Sequence, residues 1–197
     1  MLLMLALPMP APSGSEESGW MEGIRRRDSK SLSRLYDRYG RQVYALALRM
    51  VRNPGVAEDL VQETFLRVWN RAHLFQSERG SPAGWILAIA RRLAIDYLRS
   101  AEGKVSVGGV DPELAEGSPL WRDWEADVLD ATFARRIREA FTKLDENQRM
   151  VLELAYFEGL TQSEMAERTR QPLGTVKTWV RRGLQALRKE LGEVVPA

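Results

Sequence analysis

The sequence predicts an all-α fold: two small helical domains joined by a flexible acidic linker. Three observations carry that expectation. Apolar residues recur at helical spacing through most of the chain, and Val, Ile and Thr nowhere alternate with polar residues over a useful length, so strands are not expected. The periodicity lapses over residues 101–126, where the run AEGKVSVGGVDPELAEGSPL is rich in Gly, Pro and Ser. Charge also falls in blocks that the net +2 conceals. Residues 20–100 hold fifteen Lys/Arg against eight Asp/Glu (+7), 101–130 two against eight (−6), and 161–191 seven against three (+4), while 131–160 balance to zero. These divisions give a disordered tail over 1–20, a helical domain over 21–100, a linker over 101–126 and a second helical domain over 127–197.

In the first domain, Asp28 or Ser29 is placed to cap a helix that reaches about Gly40, with Leu32, Leu35, Tyr36 and Tyr39 inward. Arg41–Val51 continues or restarts it, with Val43, Leu46, Ala47 and Met50 inward. Asn53-Pro54-Gly55 reads as a turn. Ala57–Arg71 is a helix offering Leu60, Val61, Phe65 and Val68 to a core. Residues 75–81 form a loop, and Pro82 suits the first turn of a helix to Arg99 whose inward residues are Trp85, Ile86, Ile89, Leu93 and Tyr97.

In the second domain, helical signal is clear from Asp127 to Leu144 (Val128, Phe133, Ile137, Phe141) and again from Asn147 to Phe157 (Val151, Leu152, Ala155). Gly159 stands where a helix C-cap is expected. The most telling stretch is LTQSEMAERTRQPLGTVKTWVRRGLQALRKEL, Leu160–Leu191. Thr161 sits at an N-cap position with Glu164 three residues on, the spacing of a capping box. Met165 and Ala166 face inward on a short helix, Gln171-Pro172-Leu173-Gly174 breaks it, and Thr175 opens a helix with Val176, Val180, Leu184 and Leu187 as one apolar stripe. From Thr175 to Lys189 the charges are Lys177, Arg181, Arg182, Arg188 and Lys189, with no acid. An ordinary solvated helix face mixes both signs. A helix-turn-helix whose second helix is purely basic suits a DNA major groove, where carboxylates would face phosphate.

Composition excludes several alternatives. There is no Cys, hence no disulfide, thiol chemistry or Cys zinc site, and the single His73 builds neither a His metal site nor a triad. No catalytic residue, metal, cofactor or small-molecule substrate is expected. No run of about 18 apolar residues spans a membrane. The start, MLLMLALPMPAPSGSEESG, is too short in its apolar part and lacks a basic lead for a signal peptide. It reads as a disordered tail, or as an upstream extension with Met21 as the true first residue, and a cytoplasmic protein is expected.

These motifs together resemble the bacterial RNA polymerase sigma factors of the extracytoplasmic-function (ECF) group, over about Ser31 to Leu191. LYDRYGRQVYALALRMV, AEDLVQETFLRVW and FQSERGSPAGWILAIARRLAIDYLR resemble region 2 in order and spacing. LDENQRMVLELAYFEGLTQSEMAERTRQPLGTVKTWVRRGLQALRKEL resembles region 4. The resemblance implies an alternative transcription initiation factor that binds core RNA polymerase and promoter DNA, with an anti-sigma factor as a further partner that holds it at the membrane in some members. It assigns Asp59, Gln62, Glu63 and Trp69 to docking on the clamp of the largest polymerase subunit. Gln76, Arg79, Arg91, Arg92 and Arg99 go to reading and melting the −10 element, with the loop 75–81 as a base pocket. Arg149, Thr175, Lys177, Thr178, Arg181 and Arg182 go to the −35 element. Two positions depart from the pattern. Arg92 stands where members commonly have Asn, and Trp179 where a polar or basic residue is common. The acidic linker, by the same resemblance, threads the polymerase cleft. Two other classes compete on the residues alone: a dimeric helix-turn-helix regulator binding a palindrome, and an enzyme using Glu58, Asp59 and Glu63 as acid/base or metal groups.

Overall fold

The computed structural model describes residues 15–100 and 139–191, which fall in two separate units, one ending before residue 130 and the other following it. The expectations for 1–14, for the linker 101–126 and for Val128, Phe133 and Ile137 lie outside the described residues. Among those described, every regular element is helical.

The first unit is built from α1 (Ser15–Arg25), α2 (Ser29–Val51), α3 (Pro54–Arg71) and α4 (Pro82–Arg99), with single 3-10 turns at Ala72–Leu74 and Ser77–Arg79 before α4. Helix α1 corrects the tail: the boundary at residue 20 falls inside a helix. Met21 and Ile24 are fully buried, and Glu17 is buried with its carboxylate 3.8 Å from Arg38. Its eleven residues, SEESGWMEGIR, hold too few apolar positions for periodicity to register. Packing on α2 supplies the stability that its short sequence cannot. Gly23 permits that approach, since a Cβ there would stand 2.2 Å from Ser31 Oγ.

Helix α2 is continuous through Gly40, which settles the choice between continuation and restart. Asp28 caps it. Its carboxylate accepts from the Lys30 N–H (3.0 Å), the Ser31 N–H (3.2 Å) and the Ser31 hydroxyl (2.6 Å). The expected turn at Asn53-Pro54-Gly55 is instead the start of α3, three residues before Ala57. Asn53 Oδ1 accepts from the Val56 N–H at 3.2 Å and Pro54 is the first helical residue, a pairing of good N-cap and preset φ. The bend is left to Arg52, in the left-handed region at φ 53°.

The first core joins Leu35, Val43, Leu46 and Ala47 of α2, Leu60, Val61, Phe65 and Val68 of α3, and Ile86, Leu87, Ala90, Leu93 and Ala94 of α4. Two expectations change here. Tyr36 is half exposed, its ring tilted against Phe65 at 4.9 Å between centroids. Helix α4 is rotated from the expected face: Trp85, Ile89 and Tyr97 are only partly buried, while Ala83, Gly84, Ala90 and Ala94 lie inside. Small residues let α4 seat closely between α2 and α3, so bulk did not mark its inward side.

In the second unit, residues 139–142 are helical, with Phe141 buried. Then come α5 (Glu146–Phe157), α6 (Gln162–Thr169) and α7 (Leu173–Leu191). Asp145 caps α5 by accepting from the Gln148 N–H at 2.8 Å. The capping box of α6 is complete: the Thr161 hydroxyl accepts from the Glu164 N–H (3.3 Å), and the Glu164 carboxylate accepts from the Thr161 N–H (2.6 Å). Helix α7 begins two residues before the expected Thr175, because the Pro172 carbonyl accepts from the N–H groups of Thr175 (2.9 Å) and Val176 (3.1 Å). The core is Val151, Ala155, Met165, Val176 and Val180, with Trp179 and Leu184 partly buried against it. Gly183 brings α7 against α5, where a Cβ would stand 2.9 Å from Leu152 Cδ1.

Candidate nucleic-acid interface

Helix α7 sorts its residues cleanly. Val176, Val180, Gly183, Leu187 and Leu191 are buried, and Lys177, Arg181, Arg182, Arg188 and Lys189 are all exposed. At 3.6 residues per turn the cations fall on two flanks. Lys177, Arg181 and Arg188 share one, and Arg182 and Lys189 share the other with Thr175. Thr178 and Gln185, seven apart, lie between them on the outward midline. A helix so arranged reaches both phosphate walls of a groove while uncharged side chains face its floor. Gln185, exposed on that midline, is a member of the surface that sequence reasoning missed. Its signal was the seven-residue spacing from Thr178.

Two of the expected −35 residues have other engagements. The Thr178 hydroxyl donates to the Gly174 carbonyl at 2.9 Å, leaving its methyl group and remaining lone pair for a partner. Arg149 on α5 is half buried, with one terminal nitrogen donating to the Leu144 carbonyl at 3.4 Å. Glu190, the single acid of α7, is tied to Lys143 at 2.5 Å, at the end of the helix away from Thr175.

In the first unit the expected basic group divides. Arg92 and Arg99 are exposed, but Arg91 is buried, 8% accessible, and already engaged. The physical reason is angular. Arg92 and Arg99 follow Trp85 at intervals of seven and share its side of α4, whereas Arg91 follows Leu87 by four and points inward with it. Beside that face lies the loop between α3 and α4. Phe75 is buried with its ring 5.7 Å from Trp85, and Gln76, Ser77 and Glu78 are exposed. Gly80 adopts φ 151°, a conformation that L side chains rarely take. An open cleft of about 430 Å³ is lined by Arg25, His73, Phe75, Gln76, Ser77 and Glu78.

On α3, Asp59 and Gln62 are exposed, and Glu63 is partly exposed and paired with Arg67 at 2.7 Å. Leu66 lies on the same face with about half of its surface exposed, a residue the sequence reading passed over. Trp69 is not free on that face. Arg27, at φ 65°, holds its guanidinium 5.3 Å from the ring centroid and reaches the Trp69 carbonyl at 3.5 Å. Among the described residues, no group of three or more His, Cys, Asp or Glu is arranged to hold a metal ion. None of the described helices is long and apolar enough to cross a membrane.

Two family profiles match, Sigma-70 region 2 over residues 35–103 and Sigma-70 region 4 over residues 134–187. The chain is 34% identical over 176 residues to the ECF RNA polymerase sigma factor SigK of Mycobacterium sp. (strain KMS), covering 86% of this chain and 87% of that protein. The chain belongs to the ECF group of RNA polymerase sigma factors. The same kinship extends to SigK of Mycobacterium bovis (strain BCG / Pasteur 1173P2), at 32% identity over 183 residues, 91% of this chain and 95% of the relative. Among solved structures, Rhodobacter sphaeroides SigE in complex with the anti-sigma ChrR is similar at 30% identity and TM-score 0.46, covering 89% of this chain and 97% of that one. As a sigma factor the protein directs RNA polymerase to promoters for initiation. The α1 helix lies outside the region 2 match, as does Arg25 at the edge of the cleft.

Proposed function

We propose that the two units divide the work of one promoter-directing sigma factor. The N-terminal unit, α1 included, docks on core polymerase through the α3 face of Asp59, Gln62, Glu63 and Leu66, and opens the −10 element with the loop 75–81 and the Trp85–Arg92–Arg99 side of α4. The C-terminal unit reads the −35 element with α7. Lys177 and Arg181 stand on one wall and Arg182 on the other, Thr175 and Thr178 near the helix start, and Arg149 in support. Residues between the units serve as the linker. Melting requires a base to leave the stack and be held while cations track the backbone, which suits an aromatic and basic face beside a small cleft. The protein performs no chemistry of its own, works in the cytoplasm, and has an inhibitory anti-sigma partner that competes for the polymerase-docking surface.

The observation that carries this reading is the sorting of α7, where every cation from Lys177 to Lys189 is exposed and every apolar residue of its inward stripe is covered. Each unit alone offers few contacts, and polymerase supplies the avidity by fixing their separation. The test is reconstitution with core polymerase on a randomised promoter library with run-off readout. Leu66→Asp places a charge at the centre of the proposed docking face and should lower core binding at least tenfold, roughly 1.4 kcal/mol or more, with circular dichroism unchanged. Unaltered co-purification of Leu66→Asp, or tight palindrome binding without polymerase, would overturn the reading.

A further inference from the structure

The loop proposed to receive the unpaired base has little of its own to hold its shape. Its backbone bonds are local, from the Phe75 N–H to Ala72 and from the Gly80 N–H to Ser77. A distant residue reaches across to it. Arg25, near the end of α1, donates from Nε to the Ala72 carbonyl at 3.2 Å and from a terminal nitrogen to the Phe75 carbonyl. One guanidinium thus brackets the 3-10 turn Ala72–Leu74, across 47 and 50 residues of sequence. Glu22, one turn earlier, accepts from another Arg25 nitrogen at 3.2 Å and steadies its aim. The ring of Phe75, whose carbonyl Arg25 holds, is packed in turn against Trp85. The cleft is lined by Arg25 together with Phe75 and the loop residues Gln76, Ser77 and Glu78.

We infer that Arg25 is a positioning residue for the −10 loop, so that α1 belongs to the melting apparatus. The inference rests on the reading of the loop as the base-receiving element. A planar fork with several donors can satisfy two carbonyls at once, and an ammonium cannot match that geometry. With the fork removed, the Ala72 and Phe75 carbonyls lose their tie to α1, and Gln76 and Ser77, which follow directly, are held less firmly over the cleft. The charge itself is not what α1 contributes. It contributes rigidity at a site where a base must be discriminated by shape and hydrogen bonding.

The test uses full-length protein assembled with core polymerase. Open-complex formation is followed by permanganate reactivity of unpaired thymines. Base preference is measured at saturating holoenzyme on pre-melted templates that differ at one −10 position. Arg25→Ala should slow melting and reduce base discrimination, each by roughly tenfold, about the net worth of one hydrogen bond. Co-purification with core enzyme and binding of −35 duplex should be unchanged. Arg25→Lys keeps the charge without the fork and should lose discrimination much as Arg25→Ala does, while full discrimination in Arg25→Lys would show that charge is what α1 contributes and would overturn the positioning role. Full discrimination in Arg25→Ala beside its loss in Gln76→Ala would overturn the role of Arg25 while leaving the loop reading intact. Full discrimination in Gln76→Ala and Ser77→Ala as well would overturn the loop reading, and this inference with it.

Discussion

Helices α4 and α7 carry the arginines by which this sigma factor is proposed to meet promoter DNA, and they carry them differently. In α7 the expected cations are all exposed, because the helix packs through one stripe against α5 and α6 and leaves the rest of its circumference to solvent. Helix α4 is held between α2 and α3, and its buried arc is wide enough to take in Arg91. Adjacent arginines on α4 therefore have opposite fates, Arg91 inward and Arg92 outward. The lesson concerns what a charge count can say. On a helix with one contact stripe, basic composition maps directly to basic surface. On a helix buried along much of its girth, it maps to surface only after the inward arc is known, and that arc is a property of the neighbours.

The largest expected effect separates the two arginines of α4. Arg91→Ala removes a buried side chain and its packing and should destabilise the first unit by about 2 kcal/mol, read as a lowered Tm together with weaker transcription. Arg92→Ala should leave Tm unchanged and reduce the salt dependence of DNA binding by holoenzyme by about one unit of slope, as expected for one lost phosphate contact. Equal Tm losses for the two would show that α4 is not divided in this way.

The next effect lies on α7, where no such division exists. Arg181→Ala should leave Tm unchanged and cost roughly 1–3 kcal/mol in promoter discrimination if the side chain reads a base edge, or weaken all sites equally if it meets phosphate. Competitive run-off across promoters with single −35 changes distinguishes the two. A Tm loss in Arg181→Ala comparable to that of Arg91→Ala would remove the contrast between the helices.

Much of this was legible in the sequence, and the parts that were not share a cause. The all-helical class, the capping box at Thr161 and Glu164, and the outward cations of α7 follow from local rules of spacing and capping. Asn53 and Pro54 obey local rules as well, but as cap and first turn where a turn was expected. What escaped depends on contacts far apart in the chain. Helix α1 is ordered against α2, Arg25 finds carbonyls near residues 72 and 75, Arg27 covers Trp69, and the small residues of α4 fix which side is inward. Leu66 is a different case. Its exposure breaks the inward pattern of α3, and an exposed leucine among the polar residues of that face becomes meaningful only once Leu60, Val61, Phe65 and Val68 are seen to be covered.

The smallest effect lies at a single cap of the first unit. Asp28 opens α2 with an ionised side chain. The Asp28 carboxyl is held below its ordinary value of 3.8, first by the hydrogen bond from the Ser31 hydroxyl and then by that from the Lys30 N–H. A folded-state value below the unfolded one means that the charged form favours the folded unit. This contribution is complete above about 3.8 and is lost as pH falls through the lower, folded value. Asn caps helices as well as Asp does, so Asp28→Asn removes the charge while keeping the acceptor. The Tm difference between parent and Asp28→Asn should therefore be constant above about pH 5 and close as the pH drops below the ordinary carboxyl range. A difference that persists unchanged into strong acid would mean that the Ser31 hydroxyl, in contact with Asp28 and lying beneath Gly23, serves packing between α1 and α2 and not the carboxylate.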